Sequence, residues 1–115
     1  MKFVFLGIMS DESVASMHAT SFEKRKAMAE IVAQGAGGTL LDVTFVQGVY
    51  DMVAVMDLPN QSAAIGAKAA VLTTGSYDHV EILGEFDLDT AGKAQAAISA
   101  SYRGLGKEQV PTNFY

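Results

Sequence analysis

"TLLDVTFVQGVYDMVAVMD", Thr39 to Asp57, reads as two strands joined by a short reversal. Leu41, Val43 and Phe45 alternate with Leu40, Asp42 and Thr44, the pairing Gln47-Gly48 supplies a turn, and "YDMVAVMD" resumes a β-rich run. Upstream, Lys2 to Met9 is apolar on both faces of a period-two strand, Phe3 and Phe5 on one and Val4, Leu6 and Ile8 on the other. Such a strand is covered on both sides. After a polar stretch through His18, Thr20 and Glu23 are spaced as a capping box, which opens a helix that Gly35, Gly37 or Gly38 can end. Downstream, Pro59-Asn60 begins a small-residue helix closed by Gly75, Tyr77-Asp78 reads as a loop, and "HVEILGEF" is a fourth strand. An alanine-rich segment from Asp87 to Ser101 predicts a last helix, weakened by Gly92, and residues 102–115 read as a C-terminal tail after a domain spanning 1–101.

The order strand, helix, strand, strand, helix, strand is the α+β, ferredoxin-like βαββαβ arrangement, with a four-stranded antiparallel sheet and an extra C-terminal helix. Its first and third strands are central, and here they are the most apolar. Two helices cover one face of such a sheet, so the apolar residues on the other require a partner. A second copy of the chain is the simplest one, giving a sheet-to-sheet homodimer or a higher homo-oligomer.

Composition narrows the chemistry. At 115 residues the chain is one domain. It has no cysteine, which excludes disulfides, thiolate metal sites and cysteine nucleophiles and fits a cytoplasmic setting. The opening "MKFVFLGIMSDE" reads as a buried strand rather than a signal peptide, because Asp11 and Glu12 follow the apolar run at once. No run approaches the roughly 20 apolar residues of a membrane span. A formal charge of −5 argues against nucleic acid and acidic membrane surfaces as partners, and "EKRK" at Glu23 to Lys26 is a single helical turn.

Gly-x-Tyr-Asp occurs twice, at Gly48 to Asp51 and at Gly75 to Asp78. The first precedes the third strand and the second the fourth, which are not equivalent positions in the pseudo-symmetric halves of the fold. The recurrence is therefore not a duplication. Gly75 serves as a helix terminus and Gly48 as a hairpin glycine with positive φ.

The first copy also carries a resemblance. Arg25, Gly37-Gly38, "GVYDMVAVMDLP" at Gly48 to Pro59, the alanine-rich helix ending at Gly75 and "EILGEF" at Glu81 to Phe86 together resemble the GYD domain family. The resemblance runs from about Arg25 through Phe86 and implies a dimeric α/β barrel, in which two sheets pack face to face. It implies little about activity: related folds include effector-binding domains of regulators, cofactor-free monooxygenases and haem enzymes.

Three residues are candidates for a ligand site. Arg25 falls on the helix stripe of Phe22, Met28, Ala29 and Val32 that should face the sheet, where a guanidinium must be paired, snorkel out or hold an anion. A structural pair with Asp51 and a bidentate anchor for a carboxylate are the two readings. Tyr50 and Asp51, adjacent in a strand, project to opposite faces. If Val53 and Val55 share the helix-covered face, Asp51 is on the side of Arg25 and Tyr50 faces a partner subunit with Met52 and Met56. The bland alternatives are an interface aromatic for Tyr50 and, for Asp51, a hydrogen bond tying down the hairpin backbone. His18 and His79 lack metal-ligand spacing, "GAGG" follows a helix rather than preceding one, and no nucleophile elbow occurs.

No metal or cofactor is therefore expected. The function these features support is a small oligomeric binding or sensing module for a small organic anion. A cofactor-free, monooxygenase-like enzyme of the dimeric-barrel kind and a purely structural oligomerisation module are the alternatives.

Overall fold

The computed structural model describes residues 1–103. Residues Met1–Glu85 form one compact unit, and a second begins at Phe86. The first contains β1 (Lys2–Met9), α1 (Asp11–Ala15), a 3₁₀ turn (Met17–Ala19), α2 (Phe22–Gly35), β2 (Thr39–Phe45), β3 (Met52–Asp57), α3 (Gln61–Thr73) and β4 (Tyr77–Gly84). The sheet order is β2-β3-β1-β4 with every pair antiparallel, the ferredoxin-like topology with β1 and β3 central. The second unit contributes α4 (Leu88–Arg103), with Asp87 accepting from the Thr90 N–H at its start. Tyr102 and Arg103, expected to open the tail, continue this helix, and the rest of the expected tail lies outside the described residues.

The core is built from long residues on the sheet and small ones on the helices. Phe3, Phe5, Val43, Met52, Ala54, Met56 and Val80 are buried with Ala33 of α2 and with Ala64 and Ala67 of α3. The alanines let both helices approach closely, and the phenylalanine and methionine side chains fill the layer between. This assigns the faces of β3 the other way round from the expectation: Met52, Ala54 and Met56 point to the helices. Val53 and Val55 lie on the opposite face, paired across the strands with Leu6 and Val4.

Helix ends show why particular residues sit where they do. Asn60 caps α3 through its side chain, as expected, whereas α2 is capped by Ser21, which accepts from the Lys24 N–H at 3.2 Å. The expected Thr20–Glu23 capping box is therefore replaced by a single side-chain cap one residue later. At the other end of α2, the Gly37 N–H donates to the Gln34 carbonyl and the Gly38 N–H to the Ala33 carbonyl, with Gly37 at φ +85. This is a Schellman motif, and it selects Gly37 as the left-handed residue. Gly48 and Gly75 also have positive φ, as their turn roles required.

Two further elements differ from the sequence reading. The polar stretch after β1 holds the short helix α1, capped by Ser10, whose Oγ accepts from the Ser13 N–H. Tyr77 and Asp78, expected in a loop, begin β4. Among the described residues no helix is long and apolar enough to cross a membrane.

Candidate functional site

The connection between β2 and β3 is longer than a two-residue hairpin, so Tyr50 and Asp51 precede β3 rather than belonging to it. Asp51 is anchored on every side. Its N–H donates to the Gly7 carbonyl at 2.8 Å, its carbonyl accepts from the Val46 N–H at 2.8 Å, and its Oδ2 accepts from the Met9 N–H at 2.8 Å. The β1–β4 register shifts between Ile8 and Met9, and Asp51 satisfies the Met9 N–H at that irregularity. Tyr50 goes the other way. Its hydroxyl donates to the Glu81 carboxylate of β4, on the face opposite the helices, so the link crosses β1. That hydrogen bond, with smaller contributions from burial and from the charge of Glu81, raises the Tyr50 phenol above its ordinary pKa.

Arg25 does lie on the inward stripe of α2, half-buried with Ala29 and Val32. It makes no ion pair with Asp51. Instead Nε donates to the Thr20 carbonyl at 3.3 Å and Nη2 to the Met17 carbonyl at 3.5 Å, and the guanidinium carbon sits 5.7 Å from the centre of the Phe45 ring. Phe22 meets the same ring edge-on at 6.2 Å. The 3₁₀ turn, Thr20 just after it and the end of β2 thus hold the guanidinium in one place. Among the described residues no carboxylate lies within ion-pair distance of it.

Beside Arg25 a cavity of about 210 Å³ opens between the two helices and the sheet. Its apolar wall includes Phe5, Val43, Phe45, Met52, Ala54 and Val71, while Ser13, Ser16 and Thr74 bring hydroxyls to it. Tyr77 is the residue that sequence reasoning missed. It lines this cavity, and burial raises its phenol pKa, with Arg25 lowering and Asp51 raising it to lesser degrees. A signal for it existed in Gly7, a glycine inside a strand, which marks a close approach. A Cβ on Gly7 would stand 2.9 Å from the Tyr77 ring and 3.0 Å from the Met52 methyl.

The three candidates therefore do not share one pocket. Arg25 lines the cavity, Asp51 is fastened to the backbone of β1 near it, and Tyr50 is on the far face of the sheet. The two tyrosines of the recurring motif end on opposite faces. His79 is on the far face and exposed at the β4 edge, and His18 is exposed in the 3₁₀ turn.

A model of one family, the GYD domain, matches residues 3–104. The chain belongs to the GYD domain family. The match extends well beyond Arg25 to Phe86, taking in β1 and α1 at one end and α4 at the other. No curated protein matches the chain. Among solved structures, a chain described as "crystal structure of FFRP-DM1" is similar at 9% identity and a TM-score of 0.49, covering 74% of this chain and 97% of that one. In this GYD domain the Gly48-Val49-Tyr50-Asp51 element is a latch. Gly48 turns the chain, Asp51 ties the loop to the end of β1, and Tyr50 reaches across the sheet to β4.

Proposed function

We propose that this GYD domain is a small oligomeric module that binds a small organic anion, with Arg25 as the anchor. The observation that carries the reading is the half-buried guanidinium on the wall of an apolar cavity, positioned by backbone carbonyls and an aromatic face rather than neutralised by a carboxylate. A partly desolvated cation with no counter-ion among the described residues carries a cost, and an anionic ligand offsets it. Among the described residues the cavity wall carries hydroxyls, the Tyr77 phenol and a guanidinium but no carboxylate or imidazole, which favours binding over proton transfer by either of those groups.

The oligomeric part rests on the other face of the sheet. Within Met1–Glu85, Val4, Leu6, Val53 and Val55, paired across the two central strands, and Ile8 further along β1 form a half-buried aliphatic set on the face opposite the buried core residues. A second copy packed sheet to sheet buries this patch and matches like with like.

The test is a thermal-shift comparison of the wild type with Arg25→Met across carboxylates and phosphates. Organic anions should raise the melting temperature of the wild type and not of the variant. A wild type that responds to no anion contradicts the reading.

A further inference from the structure

Resting on the anion-binding reading above, we propose that the cavity selects a monocarboxylate with a compact apolar body, such as an arylacetate or a branched short-chain acid, and that Tyr77 is the second ligand-binding residue. Arg25 defines the first half of the selection. A guanidinium has five N–H donors, and here Nε and one hydrogen of Nη2 are taken by the Thr20 and Met17 carbonyls. Both hydrogens of Nη1 and one of Nη2 have no partner among the described residues, and one from each nitrogen can form the end-on fork that receives the two oxygens of a carboxylate. Side-on recognition through Nε is already occupied.

Tyr77 supplies the second half. It lines the same cavity, and the guanidinium is near enough to influence its ionisation. A phenol is protonated at neutral pH, and burial shifts Tyr77 further in that direction, so it serves as an O–H donor to a carboxylate oxygen. The absent Cβ of Gly7 is what admits the ring.

Charge and volume set the rest. Arg25 is the one cation among the described lining residues, so a second negative charge on the ligand meets no second cation there. The space is about 210 Å³, below the roughly 300 Å³ at which drug-sized ligand sites begin. The methionine at position 52 and the alanine at position 54 give a wall that adapts to a ring or a branched chain.

Calorimetric titration of the wild-type protein with phenylacetate, 4-methylpentanoate, 2-phenylethanol, succinate and inorganic phosphate tests the selection. The two monocarboxylates should bind at least about tenfold more tightly than the other three, and Tyr77→Phe should weaken phenylacetate by about fivefold. Tighter binding of succinate or phosphate would overturn the monocarboxylate selection while leaving Arg25 an anion anchor. Equal binding of 2-phenylethanol would overturn recognition of the carboxylate itself. Binding of none of the five would sink this inference together with the reading it rests on. Ala54→Leu fills the cavity from the central strand, and unchanged phenylacetate affinity in that variant would place the ligand elsewhere and overturn the assignment.

Discussion

Asp51 Oδ2 accepts the Met9 N–H at 2.8 Å, joining the loop before β3 to the last residue of β1 where the ladder to β4 slips register. Replacing Asp51 with Ala leaves a part-buried N–H without its partner and should cost about 1–3 kcal/mol. Asp51→Asn, which keeps an oxygen in place, should lose less. Urea denaturation of the two variants measures the difference, and equal stability of Asp51→Ala and wild type would refute the latch.

Glycines 38 and 66 should respond to alanine with opposite signs. A Cβ on Gly38 would lie 1.9 Å from the Asp57 carbonyl oxygen, a backbone atom that cannot step aside. Gly38→Ala should destabilise by about 3 kcal/mol or more, as overpacking against main chain does. Gly66, exposed within α3, has open space around it, and Gly66→Ala should stabilise by about 0.5–1 kcal/mol through helix propensity. Melting curves of both variants give the comparison.

The aliphatic patch on the far face of the sheet makes Val55→Lys the most direct test of assembly. Val55 sits on a central strand opposite Val4, and an ammonium there places charge in the middle of a sheet-to-sheet contact. Light scattering should show a dimer or larger assembly for the wild type and a monomer for the variant at micromolar concentration. A monomeric wild type would remove the sheet-to-sheet proposal.

The Tyr50–Glu81 bond predicts a particular alkaline behaviour. The folded-state pKa of Tyr50 is raised above 10.0, so the bond contributes its full stabilisation below that pH and loses it as pH climbs through the raised value. Wild-type stability should therefore fall more steeply above about pH 10 than that of Tyr50→Phe, which has no phenol to ionise there. Denaturant midpoints at a series of pH values test this, and parallel curves would argue that the bond is not maintained in solution.

Much of the architecture was legible in the chain. Period-two runs at Lys2–Met9 and Met52–Asp57, the helix start at Asn60 and the turn glycines at 48 and 75 act through local sterics and hydrogen bonding, so short stretches suffice to read them, whereas the choice of Gly37 among the glycines after α2 needed the structure. The site was legible only at Arg25, because a cation on an apolar helical stripe is visible on a helical wheel. Tyr77 was not, since its place depends on Gly7, seventy positions earlier in the chain and across the sheet.

By itself, then, the sequence determined the order of the four strands and of α2, α3 and α4, the central position of β1 and β3, and the presence of an inward-facing cation on α2. Tertiary structure alone decided which face of those two strands the helices take. Both faces are apolar, so alternation in one strand cannot choose between them. The choice falls to volume: Ala33, Ala64 and Ala67 bring the helices close, and Phe3, Phe5, Met52 and Met56 fill the interlayer space, turning Val53 and Val55 outward. Once that is settled, Tyr50 and Tyr77 are committed to opposite sides of the sheet, and Arg25 is left facing a cavity rather than a carboxylate.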